Sequence, residues 1–163
     1  MIEVYTKYEK KGKEKEQIEG YVDSKKYLTH KRKLWGYLEG KAAKDKRGYP
    51  LLILREDGVI TLNEDWEYEE KGYLEQGKIY YKDKDKPLHT FLKDKKIIVS
   101  HWNKKVIYLR GEGIKKLGDD DFFGIMAILF ELFSEGGTIS KDKWGDVGEI
   151  LGDILDDIGD FFD

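Results

Sequence analysis

From Tyr21 to Leu109 one short phrase, an aromatic or branched residue followed by an aliphatic one, recurs six times. It reads Tyr21-Val22, Tyr37-Leu38, Ile53-Leu54, Tyr73-Leu74, Phe91-Leu92 and Tyr108-Leu109, at spacings of 16, 16, 20, 18 and 17 residues. A Gly or Lys-Lys turn follows closely, as in Tyr37-Leu38-Glu39-Gly40-Lys41. Self-similarity of this kind limits a chain to a repeated architecture before any other feature is weighed. Runs rich in Tyr, Ile, Val and Leu, bounded by Asp, Asn, Gly and Lys every eight to ten residues, predict an antiparallel meander of tandem β-hairpins. The mean period is about 17 residues, and ten to twelve short strands should curve or close to hide their edges.

Neighbouring residues of a strand face opposite sides, so the phrase writes two columns. Val22, Leu38, Leu54, Leu74, Leu92 and Leu109 form an aliphatic column that should face the core. Tyr21, Tyr37, Ile53, Tyr73, Phe91 and Tyr108 form the other. That column is either covered by helices or exposed as a ligand face, with Tyr21, Tyr37, Tyr73, Phe91 and Tyr108 as its candidate residues. Asp57-Gly58 is expected to make a type I′ hairpin turn, with positive φ at both central residues. The charged run Glu9–Glu16, which contains Gly12, is expected to be an exposed turn or a frayed hairpin.

At Gly111-Glu112-Gly113 the character of the chain changes, which divides it into a β-hairpin repeat domain, 1–113, and an acidic two-helix segment, 114–163. Asp119-Asp120-Asp121 supplies an N-cap and first-turn acids for a helix over Asp121–Ser134. Nine apolar residues between Phe122 and Phe133 cover almost its whole circumference, so it must be buried on several sides. Glu135-Gly136-Gly137 should end it. A last helix from near Ser140 places Trp144, Val147, Leu151, Ile154, Ile158 and Phe161 at spacings of 3, 4, 3, 4 and 3, an amphipathic seam. Acids fill its opposite face. Gly145, Gly152 and Gly159 each weaken it by about 1 kcal/mol relative to Ala, so it should form only when docked. The fold class is therefore mainly β with two C-terminal α-helices, α+β by content.

Charge is divided as sharply as structure. Residues 119–163 hold 13 acids against two Lys, whereas residues 1–118 hold 28 basic and 20 acidic residues. A basic half can signal a nucleic-acid partner, or the two halves can attract each other. Lysines interleave with Trp35, Tyr37, Tyr49, Tyr80, Tyr81 and Trp102, the composition of a stacking platform in a basic groove. A half-buried sheet with aromatics inward and lysines at its edges has the same composition.

The absence of cysteine excludes disulfides and thiolate metal sites and fits a reducing, cytoplasmic compartment. The start Met1-Ile2-Glu3-Val4 lacks the pattern of a signal peptide. The apolar run Phe122–Phe133 is too short to span a bilayer, and an acidic amphipathic helix is repelled by anionic lipid. His30, His89 and His101 have no ligand spacing and read as ordinary polar histidines. No nucleophile elbow or phosphate-cradling loop is present. Asp45, Asp65, Asp83 and Asp85 are carboxylates in turns, where Asp is favoured for its own hydrogen bonding. No catalytic residue, metal or cofactor is expected.

The units Lys33-Leu34-Trp35-Gly36-Tyr37-Leu38-Glu39-Gly40-Lys41 and Ile79-Tyr80-Tyr81-Lys82-Asp83-Lys84-Asp85-Lys86-Pro87-Leu88 resemble tandem β-hairpin repeat proteins. The pattern is that of the bacterial fourfold β-flower type, with membrane-occupation-and-recognition-nexus (MORN) repeats less close. The likeness covers residues 20–113. Families of both kinds are structural or interaction modules, so the resemblance implies no enzyme. The expected function is a non-catalytic interaction or assembly protein whose Trp144–Phe161 seam binds a protein partner or a second copy. The competing expectation is a nucleic-acid-binding module on the basic sheet.

Overall fold

In the computed structural model, which describes residues 1–64, 67–101 and 104–133, twelve antiparallel strands close on themselves. They are β1 (Ile2–Lys10), β2 (Lys13–Asp23), β3 (Lys26–Leu28), β4 (Leu34–Glu39), β5 (Ala42–Asp45) and β6 (Pro50–Leu54). The circuit continues through β7 (Val59–Glu64), β8 (Glu67–Glu75), β9 (Lys78–Tyr81), β10 (His89–Leu92), β11 (Ile97–Ser100) and β12 (Lys105–Gly111). Each strand pairs with its neighbours in sequence, and β12 returns to β1 through Ile2↔Gly111, Val4↔Leu109 and Tyr5↔Tyr108. Closure removes both sheet edges. Strand lengths run from 3 to 11 residues, too unequal for one fixed repeat.

A barrel of about eight strands is filled by its own side chains, and the lumen widens with strand number. Twelve strands leave a lumen that needs a filler. The filler is the chain itself: after a single turn at Ile114–Lys116, helix α1 (Asp119–Gly124) runs on into a π-helical turn, Ile125–Leu129. Phe122, Phe123, Ile125, Met126 and Ile128 are buried and share one core with Val4, Val22, Tyr27, Leu38, Ile60 and Ile107 of the wall. The helix is apolar all round because wall surrounds it. It is shorter than the expected Asp121–Ser134 and its N-cap is Gly118 rather than an Asp. Asp121 instead turns back to accept the Gly118 N–H at 2.9 Å and a bond from Lys25 Nζ at 2.9 Å.

Wall and filler approach closely at glycines that directly precede three of the phrases. A Cβ on Gly20 would lie 3.0 Å from Leu129, on Gly36 2.8 Å from Ile128, and on Gly72 2.7 Å from Phe133. The ladder also slips by one residue beside each of these glycines and once more in β6. Glu19, Trp35, Leu51 and Lys71 are the residues skipped, each two positions before a phrase. Such bulges bend a strand and redirect its side chain.

The aliphatic column is buried as expected at Val22, Leu38, Leu54, Leu74 and Leu109. The fifth phrase is inverted. His89 pairs with Ile79, whose side chain is in the core, and alternation then sends Phe91 inward and Leu92 outward. Phe91 meets Phe122 at 5.6 Å between ring centroids. Two turns and loops also differ from expectation. At Asp57-Gly58 only Gly58 has positive φ, and its N–H bonds back to the Arg55 carbonyl, so the loop is longer than a type I′ turn. The Glu9–Glu16 run is a regular hairpin whose turn, Lys11-Gly12, has positive φ at both residues. The expected last helix, with Trp144, Val147, Leu151, Ile154, Ile158 and Phe161, lies outside the described residues.

Candidate functional site

The filler enters the barrel at the end that carries the β2–β3 and β8–β9 turns, where Lys25 holds Asp121 and Gly77 approaches Asp119. It stops short of filling the opposite mouth. There a cavity of about 460 Å³ remains between wall and filler. Three of its wall residues, Trp35, Leu51 and Lys71, are the residues skipped at the bulges of β4, β6 and β8. The ladder slips therefore shape the cavity: each places a side chain at the mouth that regular pairing would have sent elsewhere. Leu52 and Leu62 complete the wall, and Ala127, Ile128, Leu132 and Phe133 form the floor.

The floor is backbone held in an uncommon conformation. The π-helical turn ends at Leu129, and Glu131 (φ 50°) and Phe133 (φ 64°) are both left-handed without being glycine. The Leu132 N–H reaches back to the Met126 carbonyl at 3.0 Å, which pins the loop across the helix end. π-turns and left-handed non-glycine residues concentrate at functional sites, where surrounding structure enforces them.

Polar groups gather on one side of the rim. Asp45 uses its carboxylate to accept the N–H groups of Arg47 and Tyr49 at 2.9 and 3.0 Å. That asparagine-like turn presents Lys46 and Arg47 to the cavity. Lys71 pairs with Glu69 at 3.1 Å. Around the same mouth Trp35, Tyr49 and Tyr81 are exposed by 45, 66 and 43 %, the largest exposed aromatics among the described residues. The walls are thus apolar and the rim aromatic, with the cations Lys46 and Arg47 beside the carboxylates of Asp45 and Glu131.

Buried titratable groups lie elsewhere. Burial against Gly124 and the nearby Asp121 and Asp120 push the Tyr27 hydroxyl well above the ordinary phenol range, and its oxygen has no hydrogen-bond partner. His89, expected to be an ordinary polar residue, is fully buried with neither ring nitrogen partnered. Burial, with His101 nearby, pushes its pKa down to about 3. His101 bonds to Thr90 Oγ1 at 2.6 Å, and burial with Lys78 nearby lowers it to about 4. Neither His89 nor Tyr27 lines the cavity. Among the described residues no cluster of His, Asp and Glu could hold a metal ion.

Of the aromatic column, Tyr21, Tyr37, Tyr73 and Tyr108 are half-buried on the outer wall. They sit on β2, β4, β8 and β12, spread around the circumference rather than gathered as one face. Their rings have neighbours within the chain: Arg32 lies over Tyr21, Tyr73 stacks on Tyr80 at 4.6 Å, and Tyr108 stacks on Tyr5 at 5.4 Å. Phe91 is inside. Of the cavity residues, Trp35 and Asp45 were singled out in the sequence for other roles, and Lys46, Arg47, Leu51, Leu62 and Lys71 were not, although Gly before Tyr at 20, 36 and 72 marks where wall meets filler.

The outer wall carries ion pairs such as Lys44–Glu39, Arg55–Glu70 and Lys41–Glu56, and most apolar residues point inward, apart from Leu92, Ile97, Val99 and Val106 on β10–β12. A bilayer-spanning barrel has the reverse arrangement. No described helix is long and apolar enough to cross a membrane. No family model matches the chain, and neither a curated protein nor a solved structure matches it. The resemblance to tandem hairpin repeat proteins rests on the residues that carry it.

Proposed function

We propose that this is a non-catalytic binding protein whose barrel mouth takes a small apolar molecule with an anionic end. One observation carries the reading: a cavity of about 460 Å³ with aliphatic and aromatic walls and Lys46 and Arg47 at its rim. Cavities of roughly 300–1,000 Å³, mostly apolar with a few placed polar groups, are the usual form of small-molecule sites. The apolar body would bury against Leu51, Leu62, Leu132 and Phe133, and the anionic end would remain at the rim. The barrel is a rigid frame for this, since the filler fixes the floor and the bulges fix the wall.

Binding of anilinonaphthalene sulfonate, which has an aromatic body and an anionic end, tests the proposal by fluorescence titration. Saturable binding of one probe per chain, displaced by a medium-chain carboxylate, is expected. Reversing the rim charges in Lys46→Glu with Arg47→Glu should weaken the probe about tenfold, near 1.4 kcal/mol. The neutral dye Nile red should bind the variant as well as it binds the parent. Absence of saturable binding by either dye overturns the proposal, and equal sulfonate binding by the variant overturns its anionic part.

The assembly reading, in which the Trp144–Phe161 seam joins a partner or a second copy, is the second proposal. It is favoured by the 3, 4, 3, 4, 3 spacing of apolar residues from Trp144 to Phe161. For the nucleic-acid reading, Trp35, Tyr49 and Tyr81 of the aromatic platform are exposed, whereas Tyr80 stacks on Tyr73 and Tyr37 is half-buried.

A further inference from the structure

Two loops at the cavity mouth are one turn built twice. In residues 29–33 and 45–49 the N–H of the first residue donates to the carbonyl of the fifth, at 2.8 and 2.9 Å. The carbonyl of the first accepts the N–H of the fourth at 2.8 and 3.0 Å, and that fourth residue, Arg32 or Gly48, has positive φ. The first residue's side-chain oxygen then accepts two more N–H groups: Thr29 those of Lys31 and Lys33, Asp45 those of Arg47 and Tyr49. The two turns join β3 to β4 and β5 to β6, so they stand two strand spacings apart on the rim, about 10 Å.

The side chains that these turns present are cationic and aromatic. Lys31, Lys33, Lys46 and Arg47 are exposed, and none forms an ion pair with another described residue. The turn itself does not require them. Residues 55–59, at the opposite end of the barrel, repeat its backbone bonds with Glu56 and Asp57 where the mouth has Lys46 and Arg47. Of the five large apolar side chains exposed among the described residues, four sit at the mouth end: Leu34 and Trp35 where β4 begins, Tyr49, and Tyr81 where β9 ends. Rigid turns thus hold a row of cations beside rings that are open to solvent.

A polymer with repeated negative charges and flat apolar faces complements such a row. Single-stranded nucleic acid has both, since its phosphates meet cations while its bases stack on aromatic rings. A duplex keeps its base faces within its own stack. An anionic bilayer fits less well, because a flat surface would also meet acids: β7 ends in Glu64, β8 begins at Glu67, and Asp83 and Asp85 are exposed in the loop between β9 and β10. A narrow strand follows the sector from β3 to β6 alone. The chain has a net charge of −3, but exposed charges act over only about 8 Å at physiological salt, so the sector's own charges decide.

We propose that the rim built from residues 29–35 and 45–49 binds single-stranded nucleic acid, with phosphates on Lys31, Lys33, Lys46 and Arg47 and bases stacked on Trp35 and Tyr49. The inference rests on the nucleic-acid reading and gives it a place, the rim of the mouth rather than the face of the sheet. It does not depend on what the cavity takes.

Fluorescence anisotropy of a labelled oligothymidylate about 20 nucleotides long, titrated with the full chain, is the test. Saturable binding is expected at about 50 mM salt, with log affinity falling against log salt at a slope near −3, roughly −0.7 for each phosphate held. A duplex of the same length should bind at least ~10-fold more weakly. Lys31 and Lys33 lie outside the cavity lining. Lys31→Ala with Lys33→Ala should therefore weaken the oligonucleotide about tenfold and halve the slope to about −1.5, while anilinonaphthalene sulfonate binds as before. Tyr49→Ala should weaken the oligonucleotide about tenfold and leave the slope unchanged. No binding at low salt overturns the proposal, as does equal binding of the duplex or parent-like affinity in both variants. Loss of the dye in the lysine variant would assign these cations to the cavity, and tighter binding of phosphatidylglycerol vesicles through the same residues would assign them to a lipid surface; either result overturns it. A parent that binds the oligonucleotide but no dye overturns the cavity reading alone and supports this one.

Discussion

A Cβ placed on Gly124 would lie 2.1 Å from the hydroxyl oxygen of Tyr27 and 2.6 Å from Cζ of its ring. The filler helix thus turns its one residue without a side chain toward a large ring of β3. That hydroxyl is buried and makes no hydrogen bond. Gly124→Ala should destabilise the barrel by about 2–3 kcal/mol, the upper range for overpacking. Tyr27→Phe removes an unsatisfied polar atom and should be neutral or stabilising by about 1 kcal/mol. Tyr27→Leu shortens the ring away from position 124, so its combination with Gly124→Ala should cost less than the two changes summed. Urea midpoints of the four chains measure this, and additive costs would refute the contact.

The glycines of the wall and those of the turns should behave differently. Gly72 sits where a Cβ would lie 2.0 Å from the Tyr80 carbonyl oxygen and 2.7 Å from Phe133. Gly40 has nothing within 4 Å but a φ of +61°. Gly72→Ala should therefore cost about 3 kcal/mol and loosen the cavity floor. Gly40→Ala should cost only the left-handed penalty of about 1 kcal/mol, and Gly40→Asn should recover part of it because Asn tolerates that conformation. Equal losses for Gly72→Ala and Gly40→Ala, by thermal melting, would show that the approach of Phe133 to the wall is not close.

Acid should weaken the fold before the carboxylates titrate. His89 and His101 have folded pKa values near 3 and 4, against about 6.5 in an unfolded chain. Depressed folded values mean that the unfolded chain takes up protons first as pH falls. Stability from these groups is complete above about pH 6.5 and is lost progressively toward pH 4 and 3. Between pH 6 and 5 the fully buried His89 should remove up to about 1.4 kcal/mol per pH unit, and the more exposed His101 a smaller amount. His89→Leu fills the same buried site without a titrating ring and should remove the larger part of that slope. A slope unchanged in the variant would mean that His89 is protonated in the fold.

Much of the wall was legible and the filler only in outline. Alternation at Val22, Leu38, Leu54, Leu74 and Leu109 identified the inward column, since a barrel face imposes a strict period of two. The inversion at Phe91-Leu92 was not legible, because both residues are apolar and only the pairing of His89 with Ile79 decides which points in. The all-round apolar run Phe122–Phe133 announced burial on every side, but not that the surroundings would be the barrel itself. That follows only from counting twelve strands and comparing the lumen with what side chains can fill. The cavity was hidden for a related reason. Trp35, Leu51 and Lys71 share no residue type; they share a ladder slip, which hydrogen bonding creates and composition does not encode.

The floor of the cavity makes the last prediction. Glu131 is held at φ 50° where the helix end folds back beneath the mouth. An L-residue in this region carries roughly 1–2 kcal/mol of strain that glycine does not. Glycine also has more freedom to lose on folding, which offsets part of that gain. Glu131→Gly should therefore raise stability by about 0.5–1 kcal/mol while leaving the Leu132 N–H bond to Met126 in place. Glu131→Val, β-branched and poorly suited to left-handed backbone, should lower it by about 1–2 kcal/mol. If the strained loop shapes the cavity, the Gly variant should keep its affinity for anilinonaphthalene sulfonate and the Val variant should lose it. A Val variant as stable and as tightly binding as the parent would mean that the chain does not turn left-handed at this position.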